Sequence, residues 1–103
     1  MAELITSGEV AAASFTPTRS RAGYDPQEVD PPIDAVVTTL RAYEQGNPGA
    51  ATITSAVVSG AGFAQTSIRR GYDPQEVDTL LDRIVTTLYH FESQLRARSG
   101  DPS

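Results

Sequence analysis

Residues 23–30 read Gly-Tyr-Asp-Pro-Gln-Glu-Val-Asp, and residues 71–78 repeat those eight residues without a change. The two strings lie 48 positions apart, and the same offset reveals further identities on both sides of them. Over residues 5–44, 22 of the 40 positions are identical in residues 53–92. The sequence is therefore a tandem repeat of one small module, and the function is expected to reside in that module.

The repeat divides the chain into copy one at residues 5–44, a linker at 45–52, copy two at 53–95 and a polar tail at 96–103. A module of about 40 residues is too short to hold a stable core alone. The whole chain of 103 residues suits one domain. We therefore expect the two copies to share a core.

The composition, 39% hydrophobic and 20% charged residues, is typical of a folded soluble protein. The chain has no cysteine, which excludes disulfides and thiolate chemistry and agrees with a reducing compartment. The N-terminus lacks the basic and then apolar pattern of a signal peptide, and no apolar run is long enough to span a bilayer. We expect a cytoplasmic protein.

The formal net charge is −5, and all eight basic side chains are arginine. Half of them, Arg19, Arg21, Arg69 and Arg70, lie just before the two Gly-Tyr-Asp strings. An acidic protein without aromatic residues among these arginines is a poor nucleic-acid binder. The arginines instead mark two exposed basic loops, suited to lipid or partner contacts.

The second half of each copy predicts a helix. In copy two, Asp73 suits the cap, Pro74 the first helical position and Glu76 the third, so capping explains the acidic residues without a ligand. Apolar residues then recur at intervals of four and three, the stripe of a helix that pairs with another helix. The stripe residues are Val29, Ile33, Val36, Leu40 and Tyr43 in copy one, and Val77, Leu81, Ile84, Leu88, Phe91 and Leu95 in copy two.

Copy one departs from copy two at Pro31-Pro32, where copy two has Thr79-Leu80. A proline inside a helix loses a hydrogen bond and clashes with the preceding turn, at a cost of about 3 kcal/mol. We therefore expect a break, with residues 26–29 as a separate turn and Asp30 as a new cap. By this criterion copy one is the degenerate copy.

The first half of each copy predicts a short helix and then an extended loop. Thr6 and Glu9 have capping-box spacing, whereas the loops at 15–22 and 63–70 are rich in Ser, Thr, Pro and Arg or lack a helical stripe. Where the loops cross, we expect short β pairing. Phe15 and Phe63 are expected to anchor the loops in the shared core, and Tyr24 and Tyr72 to pack where each loop meets its helix, with the hydroxyl outward.

The predicted fold class is mostly α: two copies of short helix, extended basic loop and long heptad helix, paired as a single-chain pseudo-dimer or an exchanged dimer. The linker of eight residues reaches about 28 Å, close to the roughly 27 Å of an 18-residue helix. A parallel pair within one chain is barely reachable by this measure, and an antiparallel hairpin is a further alternative.

The order of an Ile-Thr start, a short helix, a phenylalanine, a basic stretch and Gly-Tyr-Asp-x-x-Glu-Val-Asp running into a heptad helix resembles the N-terminal domain of the DivIVA family. The resemblance covers both copies, and a tandem repeat rich in arginine is similar to the DivIVA-domain repeat proteins of actinobacteria. Copy two is the better match, because Ile68 precedes Arg69 and Arg70 before its Gly-Tyr-Asp. Copy one lacks an apolar residue at its loop tip.

The resemblance implies a scaffold of cell poles and division sites, whose paired helices carry loops with apolar and arginine tips that touch the membrane. It nominates Ile68, Arg69 and Arg70, with Arg19 and Arg21, as membrane-contact candidates. Family scaffolds continue into a long polymerising coiled coil, which this sequence does not contain. The resemblance therefore supports localising behaviour better than scaffolding.

Two functions follow as alternatives. The first is a non-enzymatic localisation or adaptor module in bacterial polar growth or cell division, peripheral to the membrane at the pole or septum. Its partners would be further copies, DivIVA-type scaffold proteins and an anionic membrane surface. The second is a soluble regulator that pairs its helix stripe with a partner's coiled coil and touches no lipid.

The sequence contains no residue pattern that indicates catalysis or cofactor binding. His90 is the sole histidine, so neither a metal site nor a catalytic base can be assembled from histidine and cysteine. Nucleotide-binding glycine motifs and a nucleophile elbow are also missing. We expect no enzyme activity, no cofactor, no metal, no small-molecule substrate and no nucleic-acid partner.

Overall fold

The structure, a computed structural model, describes residues 4–18, 23–62, 65–66 and 71–98. Within these ranges the chain is mostly helical, as the sequence predicts. In chain order the elements are α1 (Ser7–Ala12), β1 (Gly23–Tyr24), α2 (Pro26–Glu44), a 3-10 turn (Pro48–Ala50), α3 (Ser55–Ser59), β2 (Gln65–Thr66) and α4 (Pro74–Arg98).

The two short helices begin at threonine caps. The Thr6 hydroxyl accepts from the backbone N–H of Glu9 at 3.1 Å, and the Glu9 carboxylate accepts from the N–H of Thr6 at 3.2 Å. This capping box confirms the predicted start of α1. Thr54 caps α3 by accepting from the N–H of Val57 at 3.2 Å, and because valine replaces the glutamate, only half of the box forms.

Helix α4 starts where the sequence predicts, whereas α2 starts at Pro26 with Asp25 as its cap and not at the predicted restart at Pro31. Asp25 accepts from the N–H of Gln27 at 2.9 Å, and Asp73 accepts from the N–H of Gln75 at 2.9 Å. A proline follows each cap, at the position where a missing N–H costs nothing. Beyond α2 the chain turns at Gly46, whose φ of 72° lies in the left-handed region that glycine adopts most easily.

The predicted break at Pro31-Pro32 is wrong, because α2 continues through both prolines. The N–H groups that the prolines lack would have bonded the carbonyls of Gln27 and Glu28, which belong to exposed residues. Acceptors at an exposed position can turn to water, which reduces the cost of the lost bonds. Val29 in the first turn is completely buried, so packing holds this turn to the rest of the helix.

The core lies between the short and the long helices. Helix α1 packs against α2, and α3 packs against α4. Burial of this apolar surface is the main source of stability. The central cluster consists of Ile5, Val10, Val36, Leu40, Val58, Ile84 and Leu88.

The two long helices run parallel within one chain. At their N-terminal ends, the backbones of Tyr24 and Tyr72 exchange two hydrogen bonds, each of 2.9 Å. At their C-terminal ends, the rings of Tyr43 and Phe91 stack with centroids 4.9 Å apart and an interplanar angle of 5°. Contacts at both ends between residues 48 positions apart require the same direction and the same register.

The linker does not have to span a helix, which removes the difficulty that its reach posed for a parallel pair. Ser55 is hydrogen bonded to Glu92 near the end of α4, and Thr52 is hydrogen bonded to Thr39 in α2. The linker therefore only crosses between helix ends. Copy two itself, through α3 and the following loop, leads the chain back to the start of α4.

Candidate functional site

The stripe residues predicted for helix pairing are mostly inside the molecule. Six of them are completely buried: Val29, Val36, Leu40, Val77, Ile84 and Leu88. Four more are partly buried and pack against the central cluster: Ile33, Tyr43, Leu81 and Phe91. Ten of the eleven stripe side chains are thus shielded by the chain itself.

Leu95, the last stripe residue, does not pair with α2 and corrects the predicted interface. Its side chain is 42% exposed. Helix α2 ends at Glu44, whose counterpart in α4 is Glu92, so the last turns of α4 extend beyond the end of α2. Leu95 instead borders a small cleft of about 110 Å³ beside Gly46 and Pro48 of the linker.

The loops cross at the N-terminal ends of the long helices, in a region that we call the loop crossing (residues 16–18, 23–25, 65–66 and 71–73). Strands β1 and β2 pair antiparallel there, with Gly23 opposite Thr66 and Tyr24 opposite Gln65. Tyr72 bridges Tyr24 on one side and Pro17 on the other. The expected short β pairing is therefore confirmed.

Gly23 and Gly71 are required at the loop crossing because the two backbones touch. A Cβ on Gly23 would lie 2.6 Å from the carbonyl oxygen of Tyr72, and one on Gly71 would lie 2.6 Å from the carbonyl carbon of Gly23. Thr18 closes the contact, with its N–H donating to the carbonyl of Gly71 at 2.9 Å. Both glycines of the repeated string thus serve one close approach.

The two tyrosines of the repeated strings each reach across to the opposite copy. The Tyr24 hydroxyl donates to Asp78 at 3.1 Å, and the Tyr72 hydroxyl donates to Asp30 at 2.8 Å. Partial burial raises the pKa of Tyr24, with a further rise from the hydrogen bond to Asp78. The hydrogen bond to Asp30 is the main cause that raises the pKa of Tyr72.

Glu76 does not cap its own helix, contrary to the sequence interpretation. Its carboxylate accepts from the N–H of Thr16 at 2.7 Å and from the hydroxyl of Thr16 at 2.9 Å. The carbonyl of Thr16 in turn accepts from the N–H of Asp73 at 3.0 Å. The residue that resembles half of a capping box therefore fastens the loop of copy one to the helix of copy two.

A serine and glutamate pair fastens each short helix to its own long helix, and the sequence analysis missed both pairs. Ser7 donates through its N–H and its hydroxyl to Glu44, at 2.9 and 2.7 Å. Ser55 donates to Glu92 in the same way, at 2.8 and 2.6 Å. The signal available was that both copies keep the two residues at the same separation.

Two buried threonines bind the copies to each other and were also missed. Thr87 accepts from the N–H of Ile5 at 2.9 Å, and Thr39 accepts from the N–H of Ile53 at 3.1 Å. Both threonines are completely buried. Because a buried polar group without a partner is costly, these bonds fix each leading segment onto the opposite long helix.

The membrane-contact candidates Ile68, Arg69, Arg70, Arg19 and Arg21 lie outside the described residues, as does Phe63. The described residues that flank the two basic segments do lie together, since all of them belong to the loop crossing. Both segments are therefore attached at the same end of the molecule. Phe15 contacts Tyr72 there, with ring centroids 4.9 Å apart, rather than joining the central cluster.

Within the described ranges, no group of three or more His, Cys, Asp or Glu side chains is placed to hold a metal ion. His90 is exposed on α4, with its ring 5.7 Å from that of Phe91. None of the helices in the described part of the chain is long and apolar enough to cross a bilayer. Searches against family models, curated proteins and solved structures found no match to this chain.

Proposed function

We propose that the protein is a non-enzymatic localisation or adaptor module of the DivIVA type, folded as a single-chain pseudo-dimer. In this fold each copy contributes one short helix, one basic loop and one long helix. The observation that carries the proposal is the loop crossing, because it gathers the attachment points of both arginine-bearing segments at one end of a rigid helix pair. If one segment contacts a surface, the other segment is attached close enough to contact the same surface.

The energetics of membrane contact depend on this pairing. Burying Ile68 contributes at most about 2 kcal/mol, and each arginine near an anionic leaflet contributes about 1 kcal/mol. Copy two alone would bind with a dissociation constant of roughly 1 mM, whereas adding Arg19 and Arg21 would lower it to tens of micromolar. Further gain requires several molecules acting together, through self-association or a scaffold protein.

The alternative function, a soluble regulator that offers its helix stripe to a partner's coiled coil, needs a free stripe. Here ten of the eleven stripe side chains are buried or partly buried within the chain. Opening the pair would expose the core, so the localisation function is favoured. Its setting would be polar growth or division, in the cytoplasm at the pole or septum.

Co-sedimentation with anionic liposomes tests the proposal. The variant Ile68→Ser, Arg69→Ala, Arg70→Ala should lose most of its lipid binding, and foci at the pole or septum should disperse in cells. The matched control Val57→Ser, Arg96→Ala, Arg98→Ala removes the same charge and one exposed apolar side chain, that of Val57, from other parts of the chain. Equal loss of lipid binding in both variants would reject a specific role for the copy-two loop.

A further inference from the structure

Copy two carries a groove between its short and its long helix that none of the contacts above explains. In copy two this groove encloses about 520 Å³ and lies between the end of α3 and the outer face of α4. Its apolar floor is formed by Val58, Leu81 and Val85, and its rim by Asp78, Asp82 and Thr86. The space is large enough for two or three side chains of a partner.

Copy one has matching residues at the corresponding positions. The counterparts of the six groove residues are Val10, Ile33, Val37, Asp30, Asp34 and Thr38. Position by position their exposure matches: the valines of the short helices are buried, the other floor residues are half-buried, and the rim residues are exposed. The chain therefore carries the residues of this groove twice, and we expect an equivalent groove in copy one.

The rim residues are identical in the two copies, and contacts within the chain account only for the first of them, Asp30 and Asp78. Asp30 and Asp78 accept hydrogen bonds from the tyrosine hydroxyls, but no hydrogen bond or ion pair joins the side-chain carboxylate of Asp34 or Asp82 to another residue that the structure describes. Nearby exposed positions on the same helices have diverged, as Pro31 has from Thr79.

Thr38 and Thr86 complete the rim one turn beyond Asp34 and Asp82, and they too are exposed and identical. The rim residues follow one another at intervals of four, so they form a single ridge along each long helix. An exposed ridge kept in both copies, beside an apolar floor, is suited to contact with another molecule.

We infer that the two grooves are docking sites for amphipathic basic segments of a partner protein, so that one chain holds two such segments. Charge complementarity selects the occupant: carboxylates spaced by four residues face arginine or lysine side chains at the same spacing on a helix. Leucine or valine side chains on the same segment would cover the floor. The inference rests on the adaptor role proposed above and names the chemistry of its partner.

Titration calorimetry with a synthetic probe tests the inference on the full chain. The probe is a capped peptide of two Leu-Arg-Gln-Leu-Ala-Arg-Gln repeats, measured at about 0.15 M salt, where long-range charge effects are screened. The expected stoichiometry is two peptides per chain. A control peptide with serine in place of leucine keeps the charge and should bind at least about tenfold more weakly.

Variants separate the grooves from bulk charge. Asp82→Asn should reduce the stoichiometry to one peptide, and Asp34→Asn with Asp82→Asn should weaken binding roughly tenfold or more. The matched control Glu3→Gln with Asp101→Asn removes the same charge at two positions that are not groove residues, and it should bind as the unmodified chain does. Circular dichroism verifies that each variant remains folded.

Three outcomes would overturn the inference: no saturable binding up to about 1 mM peptide, equal binding of the serine peptide, or equal weakening by the groove and control variants. The titration contains neither lipid nor a scaffold protein. Failure here would remove the grooves as docking sites and leave the localisation proposal to the liposome and imaging tests.

Discussion

At the scale of single residues, the glycines of the repeated string are the positions least able to accept a side chain. A Cβ at Gly23 or Gly71 would lie 2.6 Å from backbone atoms, which cannot move aside as a flexible side chain can. Gly23→Ala and Gly71→Ala should each destabilise the protein by about 2–3 kcal/mol in urea denaturation. Gly62→Ala, where no atom of the described residues lies within 4 Å of the added Cβ, should change the free energy of unfolding by no more than about 0.5 kcal/mol. Equal effects at all three glycines would contradict the close approach.

Tyrosine ionisation gives a second prediction at this scale. Burial and the hydrogen bonds to aspartates raise the pKa of Tyr24 and Tyr72 above 10.0, and burial and then Glu92 raise the pKa of Tyr43. A raised pKa in the folded state means that the neutral form stabilises the fold. That stabilisation is complete below about pH 10 and is lost as pH rises through the folded pKa.

Lysine and cysteine side chains do not contribute to the change of stability in this alkaline pH range, because the sequence contains neither residue. The free energy of unfolding should therefore fall with pH above about 10. In Tyr24→Phe with Tyr72→Phe the fall should be shallower, although the variant starts from a lower stability. Urea denaturation at several alkaline pH values measures both slopes, and identical slopes would show that the tyrosine and aspartate pairs contribute nothing.

At the scale of elements, Pro31 and Pro32 are a defect that the fold tolerates. Helix α2 continues through them, although two backbone hydrogen bonds are missing. Replacing them with the copy-two residues, Pro31→Thr with Pro32→Leu, should restore those bonds. We expect a gain of about 1–3 kcal/mol, reduced by the greater freedom of the unfolded chain.

Thermal and urea denaturation would measure that gain. The matched substitution in copy two, Thr79→Pro with Leu80→Pro, should destabilise α4 by more, because Leu80 also packs against the core. If the copy-one variant were instead less stable than the unmodified chain, packing of the half-buried Pro32 would outweigh the restored hydrogen bonds.

What the sequence could predict about the elements was local. The Asp73 cap, the capping box at Thr6 and the spacing of the apolar stripe depend on neighbours within about one turn, so the sequence predicts them correctly. Whether the helix continues through Pro31-Pro32 depends on whether the carbonyl groups that lose their hydrogen bonds face water. The partner of Glu76 was Thr16, 60 residues away, and no local rule can identify a partner at that distance.

At the scale of the whole molecule, the contacts between the copies use residues that both copies possess. Each leading isoleucine binds the opposite threonine, each glycine meets the other glycine, and each tyrosine reaches the opposite aspartate. The aromatic stack at the far end joins Tyr43 to Phe91. Copy two could therefore replace copy one in nearly every contact between them.

A fragment holding copy two alone, residues 53–98, should consequently form a homodimer that reproduces the helix pair. The fragment lacks the hydrogen bond from the Thr16 hydroxyl to Glu76, because alanine stands at the matching position 64. Its helix content should rise with concentration, because a single module cannot bury its stripe. The full chain should instead remain a monomer of 11.0 kDa with one cooperative unfolding transition.

Light scattering with size-exclusion chromatography measures both masses, and circular dichroism at several concentrations measures the helix content. A disulfide test fixes the direction of pairing: Phe91→Cys in the fragment should crosslink to its own counterpart, since the rings at this position meet in a parallel pair. An antiparallel fragment would keep these cysteines apart. A fragment that stayed monomeric and fully helical would show that the long helix needs no partner, which would contradict the shared core from which the adaptor proposal begins.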